Sequence, residues 1–334
     1  MGSEANSKAR AVRRLIVSAR GRRAVETVDE ILARYARRHT GVAIATLAPG
    51  GCRVLTRGGV ARDSIFEIGS ITKVFTALLL ARMVQDGRAS LNERPFRERR
   101  ITLVDLATHT AGLPRLPKGM LMSALREPRD PYAAITPEVL DAAVSSVRLR
   151  RQGRVRYSNF GAGLLGHVLA QRAGRSSADA VAAEICGPLG LHDTFVAVPE
   201  TKRSRFVVGH DRRGRRVPHW THGALAGAGA LRSTPTDLLL FLAFQLNPPD
   251  SPLGAAARLT HEPRAARGQV HVGLGWLRLP LGDDGANVLW HNGGTGGFRS
   301  FVGFAPERGT AVAVLSNCTR SVDAIGMRAL HVLR

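Results

Sequence analysis

The chain has 334 residues, 44% hydrophobic and 22% charged, with 36 Gly and 17 Pro; that is a folded composition and excludes a disordered or collagen-like chain. No window approaches the roughly 18 continuous apolar residues of a membrane span, and the three scattered cysteines, Cys52, Cys186 and Cys318, exclude a disulfide scaffold and read as reduced thiols. The net charge of +22 comes almost wholly from arginine, is spread along the chain and is joined by only 5% aromatics; it reads as arginine-rich solvated faces rather than a specific nucleic-acid site, although polyanions should adhere at low salt.

Residues 1–23 carry Lys8, Arg10, Arg13, Arg14, Arg20, Arg22 and Arg23 around a three-residue apolar run, Leu15-Ile16-Val17. A secretory segment needs roughly 7–15 apolar residues, so 1–23 reads as a basic leader that need not be ordered, and the protein reads as cytoplasmic. From Ala24, Val25, Val28, Ile31, Leu32 and Tyr35 recur at three- and four-residue steps, which predicts a helix ending near 39–41. Residues 42–47 and 53–56 around Pro49-Gly50-Gly51 predict a hairpin. After Ser70 comes a run from Val74 to Ala81 that is apolar on nearly every face and stops at Asp86-Gly87; such a helix belongs in the centre of the molecule. Thr102 caps a helix through Leu103 and Leu106, stopped by Gly112 and Pro114. Thr136-Pro137-Glu138 and Ser233-Thr234-Pro235-Thr236-Asp237 each open a helix with a cap, a proline and an acid. Residues 161–173 form a compact apolar helix closed by Gly174. Near the end, 298–304 and 310–315 read as strands around Pro306-Glu307-Arg308-Gly309, and 322–330 as a helix. The expected fold is α/β (α+β): an antiparallel sheet flanked by helices, built from both chain ends, with a mostly helical lobe inserted. One domain is expected over 24–334, its α/β lobe at about 24–89 and 256–334 and its helical lobe at about 90–255.

Three clusters could carry chemistry. In Ser70-Ile71-Thr72-Lys73, Ser70 heads the buried helix, where free N–H groups and the helix dipole favour a developing negative charge. Lys73 lies one turn on, on the same face; burial and the dipole both lower its pKa and make it a plausible base for the hydroxyl. With 18 serines and four lysines, chance alone gives roughly 0.2 such pairs, so the spacing is weak by itself, and a helix cap beside an incidental lysine is the alternative. Tyr157-Ser158-Asn159 sits between an arginine-rich loop and an apolar helix. A phenol there can shuttle a proton, and Asn159 can hold the lysine and donate to a substrate carbonyl; the alternative is a packed loop tyrosine. His291-Asn292-Gly293-Gly294-Thr295-Gly296-Gly297 reads as a Gly-rich turn before a strand. Its glycines allow close backbone approach, and a free N–H there would complete an oxyanion site with that of Ser70. It lacks the Gly-Lys-Ser/Thr of a phosphate loop.

In this order and spacing the three elements resemble the serine hydrolases of the class C β-lactamase and penicillin-binding-protein type, which carry S-x-x-K, Y-x-N and a third K-x-G or H-x-G element. Phe66-Glu67-Ile68-Gly69-Ser70, the stretch from Thr108 to Pro114, the stretch from Gly229 to Thr234, and Gly273-Leu274-Gly275-Trp276 also look like family segments. The resemblance covers roughly residues 25–330. It implies a Ser70 acyl-enzyme, proton work shared by Lys73 and Tyr157, and substrate binding by Asn159, His291, Gly293 and Gly294. The backbone N–H groups of Ser70 and Gly294 would hold the oxyanion. His291 stands where β-lactamases and transpeptidases usually carry lysine, and is similar to the esterase-like members.

The expected activity is serine acyl transfer from a small-molecule ester or amide to water, as an esterase, amidase or β-lactamase-like hydrolase, or to an amine, as a transacylase. The alternative is a non-catalytic binding or sensor protein of the same fold. No cofactor is expected. No metal is expected either, because His210, His219, His222, His261 and His271 lack ligand spacing. His109 reads as structural. Arg148, Arg150, Arg151, Arg154 and Arg156 lead into Tyr157; they are either a solvated loop or a means of steering an anionic substrate.

Overall fold

The computed structural model describes residues 26–333 except 97, 119, 121–129 and 283. The basic leader expected at 1–23 lies outside the described residues. Twelve strands are described: β1 (Val42–Ala48), β2 (Gly51–Arg57), β3 (Phe66–Glu67), β4 (Gly209–His210), β5 (Arg216–Val217), β6 (Arg232–Ser233), β7 (Ala265–Arg267), β8 (Val270–Val272), β9 (Leu277–Pro280), β10 (Asn287–Gly294), β11 (Arg299–Ala305) and β12 (Thr310–Ser316). Eight of them form one antiparallel sheet in the order β2-β1-β12-β11-β10-β9-β8-β7. The chain ends meet where β1 pairs with β12, with Ile44 opposite Val314. This is the α/β architecture with an antiparallel sheet expected from the two ends.

Both faces of the sheet are covered. Ala43, Ala45, Ala311, Ala313 and Leu315 point into the larger core, and Val42, Ile44, Val312 and Val314 into the smaller one. The central strands therefore read as continuous apolar runs. The outer face carries α1 (Val28–Ala36) and, from the far end of the chain, α10 (Asp323–Val332). A capping box between Thr27 and Glu30 starts α1. Deeper in the larger core lies α2 (Thr72–Gln85), in which Val74, Phe75, Leu78, Leu79, Leu80 and Met83 are all buried. Burial of each such side chain stabilises the fold by about 1.5–3 kcal/mol, and Phe75 stacks on Phe241 at 4.1 Å between centroids.

The middle of the chain supplies α3 (Leu103–Thr108), α4 (Pro137–Ser146), α5 (Asn159–Ala173), α6 (Ser177–Val181), α7 (Ala226–Gly229), α8 (Pro235–Leu246) and α9 (Pro252–His261). The expected caps are present: Thr102, Thr136 and Thr234 each accept a backbone N–H from three residues on, and Gly174 ends α5 in the left-handed region. Phe241 and Leu242 carry α8 into the core beneath the sheet.

The sequence reading differs from the structure in one stretch. Strands β7 to β9 carry no strand signal of their own, because they are three or four residues long and interrupted by Arg267, His271, Arg278 and Pro280. The segment from His291 to Gly294, read as a turn, is the end of strand β10. Pairing with β11 (Asn292 opposite Phe301, Gly293 opposite Ser300) imposes the extended form on glycines that have no such preference. Among the described residues no helix is long and apolar enough to cross a membrane.

Candidate active site

Ser70 lies in a single 3-10 turn, Gly69–Ile71, that runs into α2. Two anchors hold this turn. The Ile68 N–H donates to Leu231 O at 3.0 Å, and Ile68 O accepts from Ser300 Oγ at 2.7 Å. On the other side lies β10. Strand β9 pairs with β10 only as far as Trp290, opposite Leu277. Beyond it, the Ser70 turn takes the place of a neighbouring strand against the end of β10. The fit needs glycine: a β-carbon on Gly69, whose φ is +50°, would lie 2.6 Å from the Gly294 nitrogen. Backbone groups of β10 that do not bond to β11 therefore face the serine.

Helical spacing sets Lys73 above Ser70, with Nζ 3.0 Å from Oγ. The same amine donates to Asn159 Oδ1 at 2.9 Å and to the Ala228 carbonyl at 2.6 Å. Burial holds its pKa well below the ordinary lysine value, and the nearby Arg115 guanidinium pushes the same way. A neutral amine has two N–H donors and one lone pair. Asn159 Oδ1 and Ala228 O, which can only accept, take the donors, so the lone pair faces the Ser70 hydroxyl. Tyr157 O–H donates to Ser70 Oγ at 2.7 Å from the opposite side. Burial raises that phenol to about 12, against smaller lowering effects from Ser70 and Arg115; it keeps its proton at neutral pH. The hydroxyl thus has an acceptor on one side and a donor on the other, which is the arrangement that can activate a serine and protonate a leaving group.

Asn159 is the first residue of α5, placed by the Ser158 cap. Its Nδ2 donates to Tyr132 OH at 3.1 Å. His291 is buried, with Nδ1 2.7 Å from Asn292 O and its ring 6.3 Å from that of Tyr157. The structure thus brings Ser70, Lys73, Tyr157, Asn159, His291, Gly293 and Gly294 to one place.

Two neighbours, Tyr132 and Arg115, escaped the sequence reading, and a third, His109, reads there as structural. Tyr132 stacks on His222 at 5.1 Å and meets Trp220 at 5.2 Å with the rings tilted by 48°; it comes from a loop with no spacing signal. Arg115 lies over the Tyr157 ring at 5.5 Å. His109 accepts from both residues flanking Tyr157: Arg156 N–H donates to its carbonyl at 2.8 Å and Ser158 N–H to its Nδ1 at 3.3 Å. Among the described residues no group of three or more His, Cys, Asp or Glu is arranged to hold a metal ion.

A family model described as beta-lactamase matches residues 22–333. The chain belongs to the β-lactamase family. A beta-lactamase of Pseudomonas fluorescens is 26% identical, over 83% of this chain and 88% of that protein. A D-alanyl-D-alanine-carboxypeptidase/endopeptidase, AmpH of Escherichia coli (strain K12), is also 26% identical, over 87% of this chain and 84% of its own length. Among solved structures, a class C beta lactamase from Rhodobacter sphaeroides superposes with a TM-score of 0.81 at 24% identity, covering 92% of this chain and 97% of that one. At that identity the likeness speaks for the fold. A beta-lactamase from Sulfitobacter sp. EE-36 superposes with a TM-score of 0.80 at 25% identity, covering 92% and 96%. This β-lactamase-family protein is a serine hydrolase of the β-lactamase and penicillin-binding-protein-like superfamily.

Proposed function

We propose that Ser70 is the nucleophile of an acyl-enzyme reaction on the carbonyl of a small ester or amide. One observation carries the reading: Ser70 Oγ sits between the Lys73 amine at 3.0 Å and the Tyr157 hydroxyl at 2.7 Å, with the other donors of the amine already engaged. In acylation the Ser70 proton passes to Lys73 Nζ as Oγ bonds to the carbonyl carbon. The N–H groups of Ser70 and Gly294 hold the oxyanion. As the tetrahedral centre collapses, the bond to the leaving oxygen or nitrogen breaks and that atom takes a proton from Tyr157, which Lys73 then replaces. Water, losing a proton to the same pair, attacks the ester carbon and releases the acid, and Ser70 regains its hydrogen. Asn159, His291 and Gly293 orient the substrate. Residues 24–334 act as one catalytic domain in this reading.

Histidine at position 291, in place of a lysine charge, favours ester substrates over penicillin-type ones. An amine in place of water would make the same acyl-enzyme a transacylase. Intact-mass spectrometry after brief mixing with activated esters and one β-lactam tests the reading. An acyl group mapped to Ser70 and absent in Ser70→Ala is expected, and its lifetime with and without added amines separates hydrolysis from transfer. Folded protein that takes no acyl group from any probe would leave the binding or sensor reading in its place.

Arg154 and Arg156 are exposed on the loop that carries Tyr157. Neutralising both to glutamine is expected to raise KM for an anionic ester about two- to fivefold at low salt, with the difference fading at high salt. An unchanged KM at low salt would make this loop a solvated face only.

A further inference from the structure

A guanidinium is held over the ring of Tyr157, and the acylation steps above do not use it. Its place is set by the start of α5. Ser158 Oγ donates to Pro114 O at 2.6 Å, and the N–H groups of Asn159 and Phe160 both donate to Arg115 O, at 2.9 and 3.1 Å. Arg115 O thus takes two of the N–H groups that a helix leaves free in its first turn. These bonds fix the Arg115 backbone beside Tyr157, the residue before the Ser158 cap. From there the side chain reaches over the phenol, with Cζ 5.5 Å from the ring centroid, within the distance at which a cation and a ring face attract.

Other titratable groups face the same ring. Lys73 Nζ, on α2, lies 4.9 Å from its centroid. The His109 ring, just after α3, is 4.7 Å away, and the His291 ring, on β10, is 6.3 Å away; Tyr132 bears on the phenol electrostatically. Lys73 has His109 and His222 as further neighbours, and burial first holds both histidines neutral down to about 3. Lys73 itself is charged only while it carries the serine proton. The Arg115 charge, by contrast, is present at every step, because a guanidinium keeps its proton. Its two effects agree: it disfavours the ammonium form of Lys73 and favours the phenolate form of Tyr157. A neutral ring attracts a cation only weakly, whereas a phenolate, whose charge spreads into the ring, attracts it as one ion does another. The attraction therefore grows as the phenol loses its proton, which is the condition for lowering a barrier.

We propose that Arg115 is a positioning residue for the departure of the leaving group: acting through Tyr157, it stabilises the phenolate formed when the phenol proton passes to the leaving oxygen, and so suits the site to esters of ordinary alcohols. In that step the bond from the carbonyl carbon to the leaving oxygen breaks and its electron pair stays on the oxygen, which takes the Tyr157 proton. Lys73, holding the Ser70 proton, then returns a proton to the phenolate. An alkoxide is too basic to leave without a proton, whereas p-nitrophenolate leaves without one. This role rests on the reading of Ser70 as the nucleophile.

Ethyl butyrate and p-nitrophenyl butyrate test it, since they form the same acyl-enzyme and differ only in what leaves. With kcat/KM read at a pH where Lys73 is neutral in every variant, Arg115→Gln is expected to lower the value for the ethyl ester about three- to tenfold and to leave that for the p-nitrophenyl ester within about twofold. Arg115→Lys keeps a charge and should keep most of the ethyl-ester rate. Arg115 is exposed, so raising the ionic strength should reproduce part of the selective loss in the unaltered protein and none of it in Arg115→Gln. NMR of lysine labelled at Cε reads the same charge without catalysis. The chain has four lysines; the Lys73 signal is the one missing in Lys73→Met, and it should titrate at higher pH in Arg115→Gln than in the unaltered protein. Equal losses on both esters, an Arg115→Lys protein as slow as Arg115→Gln, or an unmoved Lys73 signal would overturn the role and reduce Arg115 to a clasp on the start of α5. If neither ester acylates Ser70, the nucleophile reading fails and takes this role with it; if Ser70 acylates and Arg115→Gln slows neither ester, this role alone fails.

Discussion

Lys73→Met is expected to lower the acylation rate by about 10²–10⁴-fold, the range set by loss of a positioned base, with KM changed far less. Methionine matches the length of the lysine stem and keeps the burial of α2, so the loss reports the lone pair rather than the packing. Lys73→Arg should be as inactive, because a guanidinium does not release its proton in this pH range. The pH profile supplies the sign. The amine must be neutral to accept the serine proton, so activity should fall as pH drops through the folded-state pKa of Lys73, which burial and Arg115 place well below the ordinary lysine value. The acidic limb should therefore lie far below 10.5, and any residual activity of Lys73→Met should lack that limb. Tyr157, pushed up to about 12, contributes no loss near neutrality. A Lys73→Met protein that acylates at the original rate would remove lysine from the proton path.

His109→Leu is expected to destabilise the protein and to misplace Tyr157, whereas His109→Asn should restore both. His109 has φ +62° and its side chain is buried. Leucine in the left-handed region costs about 1–2 kcal/mol, and the Ser158 N–H left without an acceptor costs about 1–3 kcal/mol more. Asparagine tolerates that backbone region, and its Oδ1 can accept in place of Nδ1. The imidazole ring lies 4.7 Å from the Tyr157 ring, so loss of the clamp should lower kcat with little change in KM. Recovery of kcat by asparagine is the outcome that a purely packing role would not give. The pH dependence follows from the same residue. Burial first, then the Lys73 and His291 charges, hold His109 neutral down to about 3, from an ordinary 6.5. The unfolded chain takes up that proton below about 6.5 and the folded protein does not, so stability falls as pH drops between these values, at about 1.4 kcal/mol per pH unit. His109→Asn should flatten that part of the curve in denaturant titrations.

Local rules reach as far as neighbours in sequence. Ser70 and Lys73 were legible because three residues on a helix is one turn, and the apolar run after them marked the helix as buried. Asn159 was legible through the Tyr157-Ser158-Asn159 spacing, while the helix read from 161 begins two residues earlier, at Asn159, behind the Ser158 cap. The terminal hairpins were legible because β1 and β12 are apolar runs bounded by turn residues. The strands β7 to β9 were not, since three-residue strands hold no alternation to read. Likewise the His291–Gly294 segment looks like a turn until β11 pairs with it.

By itself the sequence determined the helix that presents the serine, the caps at Thr102, Thr136 and Thr234, the sheet drawn from both ends and the family pattern of three motifs. Only the tertiary structure decided that the Ala228 carbonyl and Asn159 would take both donors of Lys73, and that His109 would hold the backbone of Arg156 and Ser158, on either side of Tyr157. Those hydrogen bonds join residues separated by 47 to 155 positions in the chain. Their existence depends on how α2, α5 and α7 dock against one another and on which carbonyls are left facing inward. That docking is a property of packed backbones, and no local spacing encodes it.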